Sequence, residues 1–340
     1  MGAGFMVTIK DLAAVLNVSP STIGRALAGD KRISDGMKLK VQQAADEAGY
    51  VANRAARMMR GVSSNLVGLI VPDIRNSFYS TIAHALSRCL ISANYQLTLC
   101  ETDDDRMLEL QHIRELTGVN VAGIIIVPSA KPLPEAARLL KLTPHIQLLR
   151  KQASLGEQWF GIDDSKAIFE ATRHVLELGH RRVAYIGGTG ELPTGMARIQ
   201  GFRDAIAAIG SDVDRAEELG PPSSTEFGRE AVRRLLDRQR PPTAIVIGAV
   251  QNTLGAIDEL NRLGVQVPSQ LSVVGFGDEL GYRWWGPGLT TVRLPVSELA
   301  TACGLWFLHQ LQNKSQNSAP YGSISPPDLI VRNSSGPPPA

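Results

Sequence analysis

Thr8-Ile9-Lys10-Asp11-Leu12-Ala13-Ala14-Val15-Leu16-Asn17-Val18-Ser19-Pro20-Ser21-Thr22-Ile23-Gly24-Arg25-Ala26-Leu27 decides how the rest of the chain is read. The stretch predicts two short helices crossing at a tight turn. Thr8 with Asp11 three residues on is a weak variant of a capping box, with Asp in place of the usual Glu. Ser19 before Pro20 places an N-cap ahead of a proline at the first helical position. Ser34 opens a third helix and Gly49 closes it. Leu12, Ala13, Leu16, Ile23 and Leu27 form a small apolar seam. The second helix then turns Ser21, Thr22 and Arg25 outward. Short polar residues permit close approach to a DNA major groove, and an arginine can fork onto a guanine edge. A three-helix protein-interaction domain is the alternative reading of the same helices.

Downstream, Gly49-Tyr50-Val51-Ala52-Asn53-Arg54-Ala55-Ala56-Arg57 continues into Met58-Met59-Arg60-Gly61. Val7 to Arg60 resembles the headpiece of the LacI/GalR family of bacterial transcription regulators. There "T-x-x-D-x-A-x-x-x-x-V-S-x-x-T-x-x-R-x-L" is followed by "G-Y-x-x-N-x-x-A". The resemblance implies DNA contacts from Thr8, Lys10, Ser19, Pro20, Ser21, Thr22 and Arg25. Pro20 stands where the family often has a base-reading side chain. Asn53 can cap, and Gly61 can end, a helix of about two turns, too short to hold alone in water. In the family this is the hinge helix, ordered against its twin in the DNA minor groove. The resemblance thus adds Asn53, Arg54 and Arg57 to the DNA-facing set, with Met59 as the apolar wedge. A plain linker with scattered arginines is the alternative.

The chain is 44% hydrophobic and 20% charged, which suits a globular protein. Its net charge of +2 hides an asymmetry. Residues 1–62 hold nine Lys/Arg against five acids, a net of +4, and the remainder carries −2. A basic head on a slightly acidic body places a phosphate-binding surface at one end. Cys89, Cys100 and Cys303 form neither a metal pattern nor a disulfide framework. The apolar runs are strand-sized, and Met1–Met6 lacks the features of a leader, so a cytoplasmic protein without a membrane partner is expected.

From Leu66 short apolar runs alternate with helix-period segments. The runs are Leu66–Val71, Gln96–Leu99, Gly123–Val127, Ile146–Leu149, Val183–Ile186, Ala244–Ile247 and Ser272–Phe276. The intervening segments are about 78–93, 105–117, 134–141, 165–178, 196–209, 226–238 and 251–263. The pattern predicts parallel sheets covered on both faces, two of them, with a break near 150–164 and a cleft between. A return through 290–294, a long helix at about 296–312 and a second return at 328–331 complete it. "G-L-I-V-P-D-I-x-N-x-F", "L-G-H-R-R-V-A-Y-I-G-G", "R-x-x-G-F" and "L-G-V-x-V-P-x-x-L-S-V-V-G-F" resemble the family's periplasmic-binding-protein-like core. The resemblance runs over about 7–333.

The expected architecture is therefore an all-α helix-turn-helix headpiece (1–52), a hinge (53–62) and an α/β core of two Rossmann-like subdomains (63–333). The first subdomain takes 63–162 and 293–324, the second 163–292 and 325–333. The Ser/Gly/Pro-rich tail, 334–340, is expected to be disordered.

No catalytic constellation is present. Gly187-Gly188-Thr189-Gly190 lacks the ending of a phosphate loop, no H-E-x-x-H occurs, and no nucleophile elbow is found. A binding protein without cofactor or metal is expected. The family's cleft positions fall on Asn76, Phe78, Tyr79, Arg150, Arg198, Ala249, Gln251, Gly277 and Asp278. Sugar and nucleoside binders in the family commonly carry Asp or Asn at the positions of Arg150, Ala249 and Gly277. Two arginines in a cleft with few carboxylates would suit an anion, a sugar acid or another organic acid, as in the gluconate-sensing branch. Phe78, Tyr79 and Trp284 or Trp285 would cover a ring face. Alternatively Arg150 turns to Asp163 or Asp164. The resemblance implies a homodimeric repressor of a catabolic operon whose hold on operator DNA is set by the cleft ligand. A solute-binding protein would use the same core, but the basic headpiece speaks against it.

Overall fold

The computed structural model describes residues 7–27, 29–50, 64–188, 190–209, 215–220, 223–313 and 321–339. The chain falls into two compact units, Met1–Ser64 and Asn65–Ala340.

The first unit holds α1 (Ile9–Leu16), α2 (Pro20–Leu27) and α3 (Asp35–Glu47). Both halves of the α1 capping box are made: the Asp11 amide donates to Thr8 Oγ1 at 3.4 Å, and the Thr8 amide donates to Asp11 Oδ2 at 2.8 Å. Ser19 Oγ accepts from the Thr22 amide at 3.1 Å and caps α2. Ser34 caps α3 by accepting from the Met37 amide. Leu12, Ala13, Ile23, Ala26, Val41 and Ala45 form the buried seam. So small a core leaves no slack, since each cap is worth about 1 kcal/mol.

The second unit contains two six-stranded sheets, β11-β5-β4-β3-β1-β2 and β12-β10-β9-β8-β6-β7. The first comprises β1 (Leu66–Val71), β2 (Gln96–Glu101), β3 (Gly123–Ile126), β4 (His145–Leu148), β5 (Trp159–Ile162) and β11 (Gly322–Ser325). The second comprises β6 (Arg182–Ile186), β7 (Arg215–Leu219), β8 (Ala244–Ile247), β9 (Ser272–Phe276), β10 (Thr290–Arg293) and β12 (Asp328–Ile330). All pairings are parallel except β10 with β12. The intervening helices are α4 (Ser77–Ser92), α5 (Arg106–Gly118), α6 (Pro134–Leu140), α7 (Asp164–Glu177), α8 (Pro193–Ile209), α9 (Thr225–Leu236), α10 (Val250–Leu263) and α11 (Val296–Asn313). Strands β1, β3, β8 and β9 are buried on both faces, which is why they read as unbroken apolar runs. Strands β5, β7 and β11 go beyond the strands expected from the sequence.

Glycine brings α8 against α7. A Cβ on Gly201 would lie 2.1 Å from the Ser165 carbonyl oxygen, so only glycine lets the helices cross there. One turn earlier on α8, Arg198 is thereby carried to the start of α7. The "R-x-x-G-F" signature is thus a packing device, with Phe202 stacked on Tyr185 at 5.4 Å.

The expectation of a disordered tail over 334–340 is not met across 334–339. Ser334 is fully buried; its Oγ accepts from the Thr290 amide at 2.7 Å and donates to the Val273 carbonyl at 2.6 Å. The Gly336 amide donates to Ser272 Oγ, and the Gly336 carbonyl lies 2.8 Å from His180 Nε2. The tail ties β9 to β10 through backbone groups, a use that composition cannot reveal. Ser334→Ala leaves two buried backbone groups without partners. A loss of about 1–3 kcal/mol in urea unfolding is expected, and a loss below about 0.5 kcal/mol, typical of a surface change, would refute the tie.

Candidate functional site

In the first unit, Thr8, Lys10, Ser19, Pro20, Ser21 and Arg25 are exposed, and Thr22 is half-buried. Ser21 and Arg25 lie four residues apart on α2 and so share one face. Among the described residues no carboxylate comes within ion-pair distance of Arg25, although at longer range Arg25 helps to lower the Asp30 carboxyl. Asp30 is instead claimed by Arg32, whose Nη2 lies 2.6 Å from it and holds its carboxyl well below the usual range. Thr8 and Ser19 each spend their hydroxyl on a helix cap. Asn53, Arg54, Arg57 and Met59 lie outside the described residues.

In the second unit, the carboxyl ends of the two sheets enclose a cavity of about 300 Å³. Asn76, Phe78, Tyr79, Arg150, Arg198 and Gln251 border it, as does Ala249. Asn76 caps α4 by accepting from the Phe78 amide at 3.1 Å, which presents the edge-to-face Phe78–Tyr79 pair. Gln251 accepts from Thr225 Oγ1 at 3.0 Å. The volume suits a ligand of roughly monosaccharide size.

Three expectations are corrected. Gly277 and Asp278 do not border the cavity; Asp278 pairs with Arg332 at 2.7 Å and with Arg283 at 3.5 Å instead. Trp284 and Trp285 do not reach the cavity either: Trp284 is 73% exposed, and Trp285 Nε1 donates to Asn261 Oδ1. Nor is the cleft poor in carboxylates, since Asp73, Asp104 and Asp164 all border it.

Each arginine has a partner in its own subdomain. Arg150 pairs with Asp104, at the end of the β2 loop, and not with Asp163 or Asp164. It also donates to the Pro128 carbonyl at 3.1 Å and to Tyr79 Oη at 3.4 Å. Arg198 donates through Nε to Asp164 Oδ1 at 2.7 Å and through Nη1 to the Gly248 carbonyl at 2.9 Å. Its guanidinium carbon sits 4.3 Å from the centre of the Phe276 ring. Burial pushes the Asp164 carboxyl up, and Arg198 pulls it back. Burial likewise raises the Tyr79 hydroxyl. The cleft thus has an Arg–Asp pair on each wall, an aromatic floor, and donors left over on Arg198. Nothing here assembles an activated nucleophile. Among the described residues no cluster could hold a metal ion, and no helix is long and apolar enough to cross a membrane.

Sequence reading missed Asp104 and Phe276 as cleft residues. Thr102-Asp103-Asp104-Asp105 directly follows a strand, and the carboxyl end of a parallel strand is where ligands gather. That placement is the signal which could have found Asp104.

Residues 8–53 match the model of the bacterial regulatory proteins, lacI family, and residues 172–335 match a periplasmic binding protein-like domain. The chain is 30% identical to the HTH-type transcriptional regulator DegA of Bacillus subtilis over 97% of its own length and 98% of that protein's. It is 30% identical to the regulator GalR of Escherichia coli over 87% of each chain. It is 28% identical to the repressor CytR of Escherichia coli over 96% of each. Among solved structures, the lac repressor dimer bound to operator and the anti-inducer ONPF superposes with a TM-score of 0.83, covering 98% of this chain and all of that one at 21% identity. A family regulator from Enterococcus faecium with bound ribose gives 0.72 at 26% identity, covering 80% of this chain and 99% of that one.

Proposed function

We propose, from the premise that this chain belongs to the LacI family of bacterial regulatory proteins, that it represses a catabolic operon and is released from DNA by a small organic acid. The coarser part stands by itself: the chain is a DNA-binding transcriptional regulator with a ligand-binding core. The observation that carries base reading is the exposed Ser21–Arg25 face of a capped α2, with no carboxylate within ion-pair distance of Arg25 among the described residues. Two such helices, one from each protomer of a dimer, would read the halves of a near-palindromic operator. Thr8, Lys10, Ser19 and the hinge residues Asn53, Arg54 and Arg57 would position the backbone, with Met59 as wedge. A gel shift with the DNA upstream of the protein's own gene tests this. Retardation no stronger than that of random duplex at the same salt overturns it.

The acid reading rests on Arg198, which borders the cleft with more N–H groups than its contacts to Asp164 and the Gly248 carbonyl use, and on Ala249, which brings no acceptor side chain to the lining. Both arginines already hold a carboxylate, so a dianion finds no excess positive charge. A singly charged acid with hydroxyls or a ring fits better, its hydroxyls donating to Asp73 or Asp164 and its apolar face lying on Phe78. Titration calorimetry of the full chain with gluconate, benzoate and glucose decides. Heat is expected from an acid; heat from glucose alone, in keeping with the ribose-bound relative, defeats the acid and favours a neutral sugar.

A ligand between the subdomains would alter their angle and so the cost of ordering the hinge. Ser77 Oγ donates to Glu279 Oε1 at 2.7 Å across that gap, so a contact sensitive to closure is in place. Homodimerisation is supported by an apolar surface at Leu254, Leu280 and Trp284, all exposed and beside a groove lined by Tyr282 and Trp285. Leu254→Glu is expected to shift the protein from dimer to monomer in sedimentation and to weaken operator binding. An unchanged dimer would place the interface elsewhere.

A further inference from the structure

Arg150 is an unusually deep cation for a cleft wall: its side chain is 7% exposed, while that of Asp104 is 41% exposed. From beneath, the guanidinium is fixed by the Pro128 carbonyl and by Tyr79. From the cleft side it is held by both oxygens of Asp104. The nearby Glu109 is buried and committed to the Ser129 amide at 2.7 Å and to Ser129 Oγ at 3.0 Å, so it cannot substitute.

The backbone beside this pair is strained at Leu149. Among the described residues, six non-glycines have positive φ. Asn17, Asn94 and Asn120 lie just past helix ends, where asparagine is at ease. The other three are Asp103 (φ 48°), Asp104 (φ 60°) and Leu149 (φ 64°), which flank the Arg150–Asp104 pair on both sides. Leucine has no short polar side chain to offset the left-handed conformation. Aspartate, like asparagine, tolerates that conformation, so Leu149 alone is strained, and a strained residue next to an ion pair bordering a cavity points to a functional contact there.

We propose that Asp104 is an internal competitor for the effector's carboxylate. It chelates Arg150 as a ligand carboxylate would, so an incoming monocarboxylate must displace it, and a neutral polyol, unable to replace a charge on a buried guanidinium, does not. Asp104 thereby sets both the affinity and the class of ligand. The proposal rests on the acid-effector reading above.

Asp104→Asn tests it, because asparagine keeps the shape and tolerates φ of 60°. Asp103→Asn makes the same charge change on the same loop away from the guanidinium. Titration of the full chain with gluconate and with benzoate is expected to give binding at least about tenfold tighter for Asp104→Asn, as expected when a competing charge is removed from a desolvated site. Asp103→Asn should stay within about twofold of wild type on the same grounds. If wild type binds acid and Asp104→Asn binds it equally or more weakly, the competitor is disproved and the acid reading stands. If glucose binds and no variant takes either acid, both are disproved. Should Asp104→Asn fail to fold, Asp104→Gly gives the same comparison with a residue that φ does not strain.

Discussion

Arg25→Ala is expected to remove the preference for operator over random DNA while leaving non-specific binding in place. The second helix of the headpiece is only eight residues long, and its outward face offers few groups able to read a base. Ser21 is small, Pro20 has no donor, and Thr22 shares its hydroxyl with Ser19 at 2.8 Å. That leaves Arg25 as the one long side chain of α2 able to reach a guanine edge with two parallel donors. A bidentate contact is worth about 1–3 kcal/mol per half-site, so a dimer loses about twice that. Lys10→Ala provides the contrast. An exposed lysine on α1 contacts phosphate, so its loss weakens all duplexes about equally and lowers the salt slope by about one. Anisotropy titrations with operator and random duplex at two salt concentrations separate the two. If Arg25→Ala keeps the wild-type ratio of affinities, base reading lies elsewhere and the α2 face only positions the head.

What could be read beforehand followed from how local each cause is. Thr8 with Asp11, Ser19 with Pro20 and Ser34 act within four residues, so the helix starts are legible, and Asp11 completes the box despite its shorter side chain. The central strands were legible because burial on both faces leaves apolar residues only. Strand β7 was not: it lies at a sheet edge, and Glu218 on it is spent on Arg203 at 2.8 Å, so its charges hide it. Strand β11, Gly322–Ser325, is likewise an edge with little side chain to pack. Arg198 was legible through its signature, whereas its companion Asp164 and the Arg150–Asp104 pair, 46 residues apart, depend on the folded sheet. Asp278 failed for the opposite reason. Its place after a strand suggested a cleft, but Arg332 from the far end of the chain captures it.

Arg198→Ala is expected to be the most damaging single change in the core, for reasons of both stability and response. Asp164 sits in the first turn of α7 with its carboxyl group almost wholly enclosed, and Arg198 supplies the charge that opposes the upward push of burial. Removing one partner of a buried pair costs about 3–5 kcal/mol, and the 16% exposure of Arg198 argues for the lower end. Burial already raises the Asp164 carboxyl, and loss of the guanidinium raises it further. A folded-state value above the unfolded one favours folding at low pH, and that advantage is lost as pH rises through the folded value. The deficit of Arg198→Ala should therefore be small in mild acid and largest at neutral pH. Asp164→Asn in the same chain removes the stranded charge and is expected to restore most of the stability at pH 7, which a double-mutant cycle in urea would register as strong coupling. The cleft of that double variant would lack one of its two guanidiniums, so the chain should keep operator binding and take gluconate and benzoate more weakly, through Arg150 alone. A deficit independent of pH, or a double variant no more stable than Arg198→Ala, would mean that the pair is not what holds α8 to α7; Gly201 and the stacking of Phe202 on Tyr185 would then carry that junction alone.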